Sequence, residues 1–235
     1  DLHSFPTRRS SDLNRSVLDR EGVVHRVHGG AVANQTFQTT EYSVDARLRS
    51  ASGAKNSIAH AALQFLPEAP GGGIFLDAGT TTAAFAELIT MQPAAKQWSI
   101  VTNSLSIALT LANSGLDEIQ LLGGSVRGIT QAVVGNAALR TLALMRAEVA
   151  FIGTNALTVD HGLSTADSQE AAIKSAMITN ARKVVVLCDS TKMGTDYLVS
   201  FGSVDDIDVI ITDANAPESF VKALRDRNVE VIIAS

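Results

Sequence analysis

A single cysteine in 235 residues has no internal partner, so Cys188 closes no disulfide within the chain. That fits a reducing cytoplasm. Its setting in Val184-Val185-Val186-Leu187-Cys188 reads as a small buried hydrophobe rather than a reactive thiol. No apolar run approaches the ~18 residues of a membrane-spanning helix. No apolar segment of signal-peptide type opens the sequence. The formal net charge is −5, so the bulk of the chain lacks the basic face of a nucleic-acid binder. His25, His28, His60 and His161 stand at no metal-ligand spacing, and no metal or other cofactor is expected. Gly-x-Gly-x-x-Gly is missing from the first strand end, which argues against a dinucleotide-binding Rossmann domain.

What is present is core. With 46% hydrophobic and 18% charged residues, the chain suits one generous domain with or without a further fragment. Its organising stretch is Ile74-Phe75-Leu76-Asp77-Ala78-Gly79-Thr80-Thr81-Thr82-Ala83-Ala84. A buried strand ends in an aspartate, and glycine and three threonines lead into helical spacing at Ala83–Ile89. The first turn of a helix carries unpaired N–H groups and the positive end of the dipole. Threonine hydroxyls add donors, and Gly79 permits a close approach. This is the composition of a phosphate or small-anion site, with a plain helix cap as the alternative.

Taken in order, residues 1–13 have no periodicity and are expected to be a non-native segment. Residues 14–30 are basic for their length. They read as the end of a helix at 14–20 and a strand at Val23–His28, either a remnant of a nucleic-acid-binding module or a solvated hairpin. Residues 31–54 are an irregular polar linker with a connecting helix near Tyr42–Arg49. The remainder, 55–235, opens with a helix at Lys55–Phe65.

From there strands and helices alternate. Strands are expected at Trp98–Val101, Glu118–Leu122, Glu148–Ile152, Lys183–Leu187, Asp208–Ile211 and Val229–Ile233. Helices are expected at Leu105–Asn113, Asn136–Met145, Gln169–Ala181 and Pro217–Arg227, with a loop through Asp160–Thr165. Near-continuous apolar strands between helices predict an α/β fold with a mostly parallel sheet covered on both faces. Strand after strand ends in small polar residues: Asp77-Ala78-Gly79-Thr80, Thr102-Asn103-Ser104, Gly123-Gly124, Gly153-Thr154-Asn155 and Asp189-Ser190-Thr191-Lys192. In open α/β sheets ligands sit outside the C-terminal strand ends, so these ends predict a small-molecule pocket there. Lys174 and Lys192 are the cations available to neutralise an anion, with Lys192 directly after a strand end.

Six motifs in order resemble the DeoR family of bacterial transcriptional repressors over about residues 14–235. They are Arg26-Val27-His28-Gly29-Gly30-Ala31, Leu76-Asp77-Ala78-Gly79-Thr80-Thr81-Thr82, Val101-Thr102-Asn103-Ser104, Leu121-Leu122-Gly123-Gly124, His161-Gly162-Leu163-Ser164-Thr165 and Asp189-Ser190-Thr191-Lys192. The resemblance implies an N-terminal winged helix-turn-helix that binds operator DNA. It also implies a C-terminal sensor domain, similar to the ribose-phosphate isomerase and CoA-transferase-like fold, that binds a phosphorylated sugar and mediates oligomerisation. In this chain only the wing would remain, with Arg26 and His28 as its DNA-facing residues. A wing alone contacts phosphates and reads no bases, so specific operator binding by this polypeptide is not expected. Carried over by motif, Asp77, Gly79, Thr80, Thr81 and Thr82 would hold the phosphate end. Asn103 and Ser104 would line the next strand end, and Gly123 and Gly124 would allow close approach. Gly153 and Asn155 would bind sugar hydroxyls, and Lys174 and Lys192 would supply charge. Asn155-Ala156 departs from the family's usual glycine at the second position.

Two functions compete. A sensor binds and does no chemistry. A sugar-phosphate isomerase needs a carboxylate base beside a carbonyl, for which Asp77, or Glu170 paired with Lys174 on one helix face, are candidates. No second carboxylate groups with either, which favours a repressor over an enzyme. In the sensor reading, phosphate docks on Thr80–Thr82 and segment 153–165 closes over the sugar, moving linker 31–54.

Overall fold

The computed structural model describes residues 24–27, 30–33, 36–38 and 40–235. The expected helix at 14–20 and the calls on His28 and on residues 1–13 lie outside them. The chain divides between Thr36 and Phe37 into two compact units. In the first, β1 (Val24–Val27) and β2 (Gly30–Ala33) form an antiparallel hairpin, with Arg26 opposite Ala31. The second strand falls partly in the stretch read as irregular linker, because Gly30-Ala31-Val32-Ala33 is too short and small-residued to declare a period of its own. The short β3 (Thr36–Phe37) stands at the division.

The second unit begins with α1 (Val44–Arg49), capped by Ser43, whose hydroxyl accepts from the N–H of Ala46 at 3.4 Å. Next come α2 (Ser52–Ala62), β4 (Gly73–Leu76), α3 (Thr80–Thr90), β5 (Ser99–Thr102), α4 (Leu105–Asn113) and β6 (Ile119–Leu121). A hairpin, β7 (Ser125–Arg127) and β8 (Ala132–Val134), leads to α5 (Asn136–Leu142) and β9 (Ala147–Gly153). Then follow β10 (Ala156–Thr158), β11 (Gly162–Thr165), α6 (Ser168–Thr179), β12 (Ala181–Leu187), β13 (Thr195–Asp196) and β14 (Val199–Gly202). The unit closes with β15 (Val209–Asp213), α7 (Glu218–Arg225) and β16 (Glu230–Ala234).

Seven strands form one sheet in the order β16-β15-β12-β9-β4-β5-β6, and every pairing in it is parallel. Alternation along the strands divides the core. Ile74, Leu76, Val149, Phe151, Val185 and Leu187 face one layer, where α2, α3 and α4 pack. Phe75, Ala150, Ile152, Val184 and Val186 face the other, under α5, α6 and α7. This is why the strands read as continuous apolar runs: both faces are buried. Phe85 of α3 meets Phe151 of β9 with ring centroids 4.4 Å apart, a tilted contact that seats the helix over the sheet centre. Cys188 is buried in the second layer, and burial pushes its thiol above the ordinary range.

The chain order reverses at the middle of this sheet. From β4 it runs outward through β5 and β6, then returns to β9 on the other side of β4 and continues through β12 to β16. The switch point lies between β4 and β9, where open α/β sheets bind their ligands. The stretch 160–165, expected as a loop, holds strand β11, which pairs with both β10 and β14. Gly162 adopts φ +75°, and a Cβ there would lie 2.2 Å from the carbonyl oxygen of Gly202. The residues of β11 are all buried, so segment 153–165 is built into a three-stranded sheet rather than a free flap.

Candidate anion-binding cleft

Each central strand hands over to a short polar turn at its C-terminal end, and the turns of β4, β9 and β12 surround one cleft. Its floor is Gly79, Thr80 and Thr81 from the start of α3 and Gly153, Thr154 and Asn155 after β9. Asp189 and Lys192 enter from the end of β12 and Lys174 from α6. Tyr42 and Arg47 from the connecting segment, Lys55 from α2, and Tyr197 complete the walls. Among the described residues, four cations thus face the cleft against one lining carboxylate, Asp189.

Asp77 lies beneath, wholly buried. Its Oδ2 accepts from the Gly153 N–H at 3.1 Å and from the Lys174 ammonium. Lys174 also donates to the Gly153 carbonyl at 2.9 Å and sits 5.4 Å over the Phe201 ring. The ion pair therefore stitches β4, β9 and α6 together at the switch point. Burial pushes the Asp77 carboxyl above its ordinary value, against the pull of the Lys174 ammonium. Asp77 Oδ1 is buried without a hydrogen-bond partner among the described residues.

Lys55 is almost completely buried, and its ammonium donates to the carbonyls of Arg47 and Ser50. Burial lowers its pKa, Asp189 opposes that, and Lys192 and Arg47 add to the lowering. Asp189 caps the turn Ser190–Lys192, accepting from the Thr191 N–H at 3.1 Å and from the Thr191 hydroxyl.

The residues singled out by sequence fall into two groups. Gly79, Thr80, Thr81, Gly153, Asn155, Lys174 and Lys192 line the cleft. Thr82 is turned inward, donating to the Gly79 carbonyl at 3.0 Å within the helix. Asn103 holds the turn from behind: its Oδ1 accepts from the Ala78 N–H at 2.9 Å and its Nδ2 donates to the Val133 carbonyl at 3.4 Å. Ser104 caps α4 and lines a neighbouring cavity shared with Gly79 and Thr80. Gly123 and Gly124 stand apart from the cleft. Gly124, at φ +154°, is required by the hairpin, since a Cβ would lie 2.3 Å from the Val134 carbonyl oxygen. Gly79 is extended at φ 179°, a backbone any residue adopts, and its small size serves close packing on Thr82.

Glu170 and Lys174 share a face of α6, as their spacing implies, but they do not pair with each other. Glu170 is buried and accepts from the Thr130 hydroxyl and from Arg127 Nη1 at 2.5 Å. Arg127 also grips Glu41 with Nη1 at 3.0 Å and Nη2 at 2.9 Å, and Asp167 with Nε at 3.3 Å. Its acidic partners push its pKa up further, against burial.

The segment before α1 is strapped onto the same region. The Gln38 N–H donates to the Asp196 carbonyl at 2.8 Å, and the Tyr197 hydroxyl donates to the Thr40 carbonyl at 3.0 Å. The Val44 N–H donates to the Ile129 carbonyl at 3.1 Å. Sequence reading missed Tyr42, Arg47, Lys55, Asp189 and Tyr197 in the cleft, although Asp189 was quoted in a motif. A lysine three residues before Ile58, on the buried face of a helix, was the one local signal available.

Residues 50–214 match the model of the DeoR C-terminal sensor domain. The chain belongs to the DeoR family. The regulator GlpR of Haloferax volcanii is 34% identical over 217 residues, covering 92% of this chain and 82% of that protein. The glycerol-3-phosphate regulon repressor of Escherichia coli is 30% identical over 220 residues, with 94% and 84% covered. Among solved structures, ribose 5-phosphate isomerase A of Methanocaldococcus jannaschii aligns with a TM-score of 0.45 at 18% identity, covering 61% of this chain and 55% of that one. Family membership supports reading the chain as a transcriptional regulator rather than an isomerase. Among the described residues no helix is long and apolar enough to cross a membrane.

Proposed function

We propose that the chain is a repressor of a sugar-metabolism operon whose cleft binds a phosphorylated sugar as effector and releases it unchanged. The observation that carries this is the charge of the cleft: four cations and one carboxylate around the N-terminal turn of α3. Unpaired N–H groups at Thr80 and Thr81, with their hydroxyls, suit phosphate oxygens, and the helix dipole adds to the attraction. Lys192 and Lys55 supply the counter-charge, and Asn155 and Thr154 offer hydrogen bonds to the sugar. The carboxylates nearest the cleft are already engaged, Asp77 by Lys174 and Asp189 by its own turn, which suits binding better than proton abstraction. Operator DNA is the partner of the whole regulator, which acts as an oligomer of sensor domains. The coupling runs through the connecting segment, because Tyr42 and Arg47 of that segment line the cleft themselves.

The test is a thermal-shift screen of phosphorylated sugars with unphosphorylated counterparts as controls. A ligand at about 100 times its dissociation constant stabilises the fold by ~2.7 kcal/mol. Phosphorylated sugars alone are expected to raise the melting temperature, Thr81→Val to abolish the rise, and the hit to be recovered without isomerisation. Equal shifts from unphosphorylated sugars, or no shift from any compound, refute the anion site; turnover of the hit refutes the sensor.

A further inference from the structure

Among the described residues Arg47 is the one lining cation with a side-chain nitrogen that is buried and unpaired. Its Nε is buried without a hydrogen-bond partner among the described residues, while the side chain lines the same cleft as Thr80, Thr81 and Lys192. A buried guanidinium N–H left unpaired is costly, and natural sites keep one only where something else completes it. The neighbouring acids are committed elsewhere. Glu41, on the same segment, is held by Arg127, and Asp189 by Thr191. The cations crowd instead: Lys192 and Arg47 both act on Lys55 as like charges. The backbone is fixed as well, since Lys55 holds the Arg47 carbonyl. The fork of a guanidinium matches the paired oxygens of a phosphate better than an ammonium does.

We infer that Arg47 is a ligand-binding residue supplied by the connecting helix α1, and that its guanidinium takes the phosphate monoester of the effector bound at Thr80 and Thr81. This rests on the anion-site reading above and goes beyond it by naming the residue through which the ligand grips the connecting segment. One phosphate then bridges α3 of the sheet core and α1 of the strap. A ligand held by both favours the conformation in which they are together, and that differential contact is what a conformational response requires.

The experiment is amide hydrogen exchange and calorimetric titration with inorganic phosphate, at ionic strength fixed with chloride, on the full chain and on Arg47→Met and Arg47→Lys. In the unmodified chain phosphate is expected to slow exchange at both 79–82 and 44–47. In Arg47→Met the dissociation constant is expected to rise about tenfold or more, the loss of a charge-assisted bond, and protection at 44–47 to disappear while 79–82 remain protected at higher phosphate. Arg47→Lys keeps the charge without the fork and is expected to fall between; it decides the matter should Arg47→Met melt early. Unchanged affinity and unchanged protection at 44–47 in both variants overturn the inference and leave the anion site standing. No protection at 79–82 in the unmodified chain overturns the anion site, and this inference with it.

Discussion

An ammonium as deeply buried as that of Lys174 holds its place only because a carboxylate and a carbonyl meet it there. Removing one partner of such a pair leaves the other charge stranded, which costs ~3–5 kcal/mol. Lys174→Met is therefore expected to lower the unfolding free energy by about that amount, read from urea denaturation. Asp77→Asn combined with Lys174→Met is expected to cost clearly less than the sum of the two single changes, because no charge is then left alone. Additive costs would mean that the two side chains are not coupled. At this scale sequence went half way. The spacing of Glu170 and Lys174 put them on one face, but partners 40 and 97 residues away along the chain turned them to different tasks. Asn103 was legible as a polar strand end, yet its amide turns back to hold Ala78 rather than out to the cleft.

Among the elements, the connecting segment departs furthest from its expectation. Its polar composition reads as a linker, yet Gln38, Thr40, Glu41 and Val44 are tied to the β7–β8 hairpin and to the segment around Tyr197. The knot of that tie is Arg127, which grips Glu41 while holding Asp167 and Glu170 at the start of α6. Arg127→Ala is expected to release the segment, speeding amide exchange at 38–44 by about tenfold or more, the equivalent of ~1.4 kcal/mol of lost local protection. Exchange unchanged at 38–44 would show that backbone bonds alone hold it. The same comparison explains why segment 153–165 is not the expected closing loop. Its residues pair into a three-stranded sheet with β14, a long-range partner that no window around residue 160 reveals. The mobile part of a response is better sought in the strap, whose bonds reach partners 86 and 157 residues distant.

For the molecule as a whole, the acid limb of stability has a named contributor at the end of β15. Burial works to raise the Asp213 carboxyl, but the Ser190 and Asn215 N–H groups and the Ser190 hydroxyl outweigh it, and the pKa lies below its ordinary value. The unfolded chain then binds a proton at higher pH than the folded one does. Asp213 therefore adds stability that is complete above about pH 5, and that stability is lost as the pH falls through the folded-state value. Asp213→Asn is expected to lower stability near neutral pH and to shrink the drop between about pH 5 and pH 3, measured by urea unfolding across that range. A parallel drop in both proteins would remove Asp213 from the account.

Sequence by itself determined the α/β class, the alternation of strands and helices, the turns at which strands end and the handover from Gly79 and the threonines to a helix. Those follow from short continuous apolar runs, from the 3.6-residue period of the helices and from local capping chemistry, all contained within a few neighbouring positions. Tertiary structure alone decided which strand ends face each other across the switch point, that Asp77 answers Lys174, and that Tyr42 and Arg47 of an apparent linker wall the cleft. These depend on contacts between residues far apart in the chain, where the strand order and the packing of α6 and α1 choose among partners that local pattern leaves equivalent.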